Sequence, residues 1–141
     1  MRDRTLVILV IVIAVLNVGH TIDHVVRGDV PWPLTMDSLA FIVVSAIIYA
    51  LIGGGLWLYW IGKIGPRSFM IAGAGGAAFG WLGHFSPYTD QPPQHIVNAH
   101  SSVAIGRLAL AWLIALMLAL IVASIYAGWL WLAQRRTSTQ G

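Results

Sequence analysis

Cysteine and glutamate are both absent from this chain of 141 residues, and charged residues of any kind make up only 9% of it. The first absence excludes disulfide frameworks, thiolate metal sites, iron–sulfur clusters and cysteine nucleophiles. The second removes the paired-glutamate ligand sets of di-iron bundles. The scarcity of charge, against roughly 25% in ordinary soluble proteins, excludes water as the main solvent. Walker loops, H-E-x-x-H, nucleophile elbows and C-x-x-C-H are missing as well, and no internal repeat is evident.

What fills the chain instead is hydrocarbon: 58% of its residues are hydrophobic. A transmembrane helix needs about 20 mostly apolar residues to cross a core about 30 Å thick. Stretches near 5–26, 37–61, 66–84 and 100–133 meet that need. The expected architecture is therefore an all-α integral membrane protein, one four-helix bundle over 1–141 with a short polar tail at 134–141. Breakers separate the stretches. Gly28-Asp29-Val30-Pro31-Trp32-Pro33 closes the first, and Thr35 is the expected N-cap of the second. Gly62-Lys63-Ile64-Gly65-Pro66-Arg67 follows, with Pro66 suited to a first helical turn. A long connection from Phe85 to Ala99 carries Pro87, Pro92 and Pro93. The final stretch is long enough to tilt or project.

An even number of spans puts both termini and the second loop on one side, with Arg2, Arg4, Lys63, Arg67, Arg135 and Arg136. Arg27 and Arg107 are the cations of the other side. The positive-inside rule then predicts cytoplasmic termini, as in a bacterial-type plasma membrane. Aromatic residues agree, with Trp57, Tyr59, Trp60, Tyr126, Trp129 and Trp131 near the inner interface and Trp32, Trp81 and Tyr88 near the outer one. Met1-Arg2-Asp3-Arg4 before an apolar run is also how a secretory signal begins. No A-x-A-like cleavage site follows, so the first helix is expected to stay in the mature protein. The net charge of +3 sits at helix ends, where anionic headgroups are the nearer partner. The bilayer is thus the expected partner, with room for a membrane-protein partner or a second copy of the chain, and nucleic acid is not.

Polarity inside the first stretch is concentrated. Asn17, His20, His24 and Arg27 follow steps of three and four along one helical face, with Asp23 beside them. With a helix end at Val26, His24 lies about 3 Å and Asn17 about 14 Å deep. Ionisable groups at such depth cost about 2.5 to 3.5 kcal/mol each near the bilayer centre and are rarely left unpartnered. A hydrogen-bond network satisfies them in one reading. In the other, histidines at i and i+4 offer two nitrogens to a metal, with Asp23 a third ligand or an orienting group. The single H-x-x-x-H from His20 to His24 resembles one histidine box of the membrane fatty-acid hydroxylases, but those enzymes carry several boxes and this chain does not supply them.

The expected topology brings Asp37, His84, His95 and His100 to the same side. Ala72, Gly76, Gly80 and His84 recur at steps of four, so small residues let another backbone approach and turn His84 inward. Asp37 is equally a helix N-terminal anion, and His95 and Asp90 are expected to be solvated in their loop. The candidate metal ligands are accordingly His20, His24, His84, Asp23, Asp37 and His100, supported by Asn17 and Arg107. Imidazole with carboxylate and no thiolate suits zinc, copper(II), nickel or iron. A b-type haem held by histidines on facing helices is the other cofactor this set allows. Three functions compete: a metal or haem protein in metal handling or electron transfer, a proton or cation transport subunit, and a structural subunit of a membrane complex.

Overall fold

The computed structural model describes residues 2–31 and 33–138. The described residues form helices α1 (Arg4–Val26), α2 (Met36–Trp60), α3 (Pro66–His84), α4 (Pro93–Asn98) and α5 (Val103–Ser138), and no strand occurs among them. Three helical stretches, Arg4–Val26, Ser38–Trp60 and Val103–Arg136, are long and apolar enough to cross a membrane. The helix expected at 66–84 is present as α3, its apolar run diluted by five glycines.

Local chemistry explains the ends. Asp3 caps α1, its carboxylate accepting from the Leu6 N–H at 2.8 Å. Thr35 caps α2 in a reciprocal box with Ser38, satisfying N–H groups that the first turn leaves open. Pro66 opens α3. Both α1 and α2 stop at a glycine with positive φ, Gly28 and Gly62, where a side chain would be strained. The connection expected between Phe85 and Ala99 contains the short α4. The last helix starts at Val103 and continues through Gln134 to Ser138 instead of ending at Ala133. At 36 residues, α5 is about 54 Å long, well beyond a hydrocarbon core. Residues 139–141 of the expected tail and Trp32, expected at the outer interface, lie outside the described residues.

The centre of the packing is α5. Against it α1 runs antiparallel: Leu6 clusters with Ala127, Ile13 with Leu116 and Ala123, and Gly19 lies under the Trp112 indole. Trp112 Nε1 donates to the Leu16 carbonyl at 2.8 Å. The glycine face of α3 also meets α5, Gly73 against Ser124, Gly76 against Leu120 and Gly80 against Met117. A Cβ at Gly73 would lie 3.0 Å from the Leu120 carbonyl oxygen, so the close approach expected of small residues is met at Gly76 and Gly80, with Gly73 in the place of Ala72, which is exposed. α2 rests on α1 through the 2.8 Å bond between Thr21 Oγ1 and Tyr49 Oη, and its far end touches α3 through Tyr59 and Phe69. The ends of α1 and α3, the starts of α2 and α5, and α4 thus gather at one end of the molecule, the histidine end.

Candidate metal centre

Two turns of α1 and the last turn of α3 bring three imidazoles together. His20 and His24 are one turn apart, so their rings project from the same face, and their Nε2 atoms lie 3.2 Å apart. His84 enters from α3, carried there by the glycine contact with α5, with its ring centroid 5.0 Å from that of His20 and 5.5 Å from that of His24. One ligand atom from each of the three lies within 4.8 Å of the others. Phe41 of α2 closes the side of His24, ring centroids 4.8 Å apart.

The spacing of the two α1 imidazoles matches that of two ligands on one ion. With Zn–N bonds of about 2.0–2.1 Å, two nitrogens on adjacent corners of a tetrahedron are separated by about 3.3 Å, close to the His20–His24 spacing. His84 is buried, and its Nδ1 has no hydrogen-bond partner, although the backbone of Gln91 acts on the same ring. An imidazole nitrogen cut off from both water and protein acceptors is costly unless something else satisfies it. A metal bond is one way to do so.

Around this trio lies a second layer of charge. Asp29 Oδ2 is 2.8 Å from His24 Nδ1 and 3.1 Å from Arg27 Nη2. A carboxylate accepts, so His24 donates through Nδ1 and keeps the Nε2 lone pair for a partner or an ion. The 3.0 Å separation between Arg27 Nη2 and His24 Nδ1 is then that of two donors converging on one oxygen. Arg27 also reaches back one turn to Asp23, Nε to Oδ2 at 2.9 Å, while Asp23 Oδ1 takes the His100 Nε2 at 2.9 Å. The Arg27 side chain is fully buried and its Nη1 has no partner. The two carboxylates lie close to the trio, and carboxylate oxygens there favour a cation beside them.

Among the expected ligands, His20, His24 and His84 converge. Asp23 and His100 are bound to each other beside the trio. Asp37 lies in the first turn of α2, and its side chain is outside the described residues. Arg107 is exposed, so the cation on Asp23 is Arg27; Asn17 accepts through its carbonyl from Thr21 Oγ1 at 3.0 Å and Tyr49 Oη at 3.4 Å. His95 and Asp90 are exposed, as expected of a loop. Sequence reasoning passed over Asp29, which it read only as part of a turn. The signal was Gly28. When a helix ends on such a glycine, the next residue bonds back to the third from the end, and here the Asp29 N–H donates to the His24 carbonyl at 3.0 Å.

No protein-family model, curated protein or solved structure matches this chain.

Proposed function

We propose that the protein is a membrane metalloprotein that holds a single transition ion through His20, His24 and His84, in a four-span bundle whose termini lie in the cytoplasm of a bacterial-type plasma membrane. The observation that carries this reading is the convergence of three imidazoles within 4.8 Å, two of them at the spacing of one tetrahedral edge. Asp29 behind His24 adds the carboxylate–histidine pairing that orients metal ligands. Three nitrogen ligands and no sulfur suit zinc, copper(II), nickel or iron and leave a coordination position for another group. Ring centroids only 4.6 to 5.5 Å apart favour a lone ion over a haem, whose macrocycle has to lie between its two axial imidazoles. The role that follows is metal handling or electron transfer.

Elemental analysis of the detergent-purified protein beside a His20→Ala, His24→Ala variant tests the reading. About one metal per chain is expected in the unaltered protein and background in the folded variant. Absence of metal after reconstitution would sink the proposal, and an absorption spectrum separates haem iron from the lone ion.

A proton or cation path is the second reading, supported by the polar run from the His20–His24 contact to Thr21, Tyr49 and the Asn17 carbonyl. On that reading the apolar layer of Ile13, Leu116 and Ala123 has to open, and pH-dependent flux into liposomes is the measurement that supports it.

A further inference from the structure

On the other side of the Asp23–His100 pair, α1 and α5 leave a groove of about 270 Å³ between them. Ile22, Leu108 and Ala109 form its walls, Trp112 stands at its deep end, and its polar lining is the Asp23–His100 pair. Ile22 and Leu108 are exposed on the outside of the molecule, so the groove opens sideways, between two helices apolar enough to lie in hydrocarbon. A molecule dissolved in the bilayer reaches it directly.

Depth and polarity run together along this groove. Asp23 lies three residues before the end of α1 at Val26, about 5 Å in. Trp112 lies nine residues into α5, about 13 Å in. The polar end is therefore near the membrane boundary and the apolar end toward the middle, the gradient of a single-chain amphiphile. His100 supplies the recognition. Its side chain is only 4% exposed and its Nε2 faces Asp23 Oδ1, whose carboxylate can only accept. Nε2 therefore donates, and in the neutral ring Nδ1 is an acceptor. No described residue donates to that Nδ1.

We propose that the groove binds a membrane-dissolved lipophile with a hydroxyl head, the hydroxyl donating to His100 Nδ1 and the hydrocarbon tail lying along α5 toward Trp112. A head with an acceptor alone finds no donor at Nδ1. A bare hydrocarbon tail leaves that nitrogen unsatisfied beside a charged network.

The probes are a twelve-carbon alcohol brominated along its chain and its methyl ether, titrated into the protein in nanodiscs. Bromine quenches a nearby indole, and the difference between the unaltered protein and Trp112→Phe isolates the Trp112 signal. The alcohol should quench saturably, with the ether needing about tenfold more for half-saturation, the worth of one hydrogen bond. Ala109→Phe, which fills the groove and leaves Asp23 and His100 in place, should abolish saturation. His100→Phe should make alcohol and ether equal. Equal affinity of the two probes for the unaltered protein, or quenching that rises linearly with either, overturns the proposal, and that comparison stands even where His100→Phe does not fold. Neither readout depends on a bound ion, so this proposal and the metal reading fail separately.

Discussion

Asp29 Oδ2 sits 2.8 Å from His24 Nδ1 because the chain reverses at Gly28, two residues past the end of α1. The Gly28 N–H donates to the Val25 carbonyl and the Asp29 N–H to the His24 carbonyl, the paired bonds of a glycine-terminated helix. In that geometry the residue after the glycine packs on the third residue from the end, a contact usually made by two apolar side chains. Here it is an imidazole and a carboxylate.

Replacing Asp29 with Asn tests what this contact does. The amide keeps the size but not the charge, and either presents a donor to Nδ1 or accepts more weakly. Orienting partners of this kind are worth 10- to 100-fold in metal affinity. Competition against a chelator of known affinity should show a loss in that range, with helical content unchanged by circular dichroism.

The parts of this site that the sequence made legible were those with a period. His20 and His24 announce themselves by i, i+4 spacing inside an apolar run, and the small residues at every fourth position pointed His84 inward. Asp29 has no period. Its placement depends on a positive φ at Gly28, and the reversal that moves it against His24 is invisible unless the helix end is located to the residue. The sequence places Arg27 in the stripe and Arg107 on the same side, without saying which of them Asp23 takes. Spacing along one helix put Arg27 a turn from Asp23, and only packing shows that Arg107 points outward. The end of α5 was missed for a related reason. Hydropathy falls at Gln134, yet Arg135 lies over Trp131 at 4.4 Å, and such stacking lets a helix continue past its apolar run.

His84→Leu separates a ligand from a structural histidine by a change of sign. In the metal-free protein the substitution removes a buried nitrogen that has no partner, a burden of about 1–3 kcal/mol. The metal-free variant should be at least as stable as the unaltered protein. Saturating metal should then stabilise the unaltered protein, by about 2.7 kcal/mol at a hundred times the dissociation constant, and leave the variant almost unchanged. Thermal unfolding in detergent, with and without ion, reads both effects. A variant destabilised in the absence of metal would point to a packing role for the ring.

Arg27→Met should be more damaging than its place near a helix end suggests. The guanidinium is fully buried and is the shared partner of Asp23 and Asp29, whose side chains are 11% and 16% exposed. Removing it leaves two carboxylates close together with their cation gone. Breaking a buried ion pair by removing one partner costs about 3–5 kcal/mol, and a loss of that size should appear in the denaturation midpoint. Arg27→Lys should recover only part of it, because a single ammonium cannot reproduce the fork that reaches both acids.

Two glycines make the closing comparison, since both lie within helices and only one is packed. A Cβ at Gly19 would come within 2.5 Å of Trp112 Nε1, the atom that donates to the Leu16 carbonyl. Gly19→Ala has to push the indole away and lose that bond. Such overpacking costs about 1–3 kcal/mol. At Gly75 nothing lies within 4 Å of the added carbon, so Gly75→Ala gains helix propensity without a clash, worth about 0.5–1 kcal/mol. Opposite shifts of the unfolding midpoint are expected for the two alanines. If Gly19→Ala is neutral, the α1–α5 contact is looser than the indole contact implies, and the groove beside it loses its deep wall.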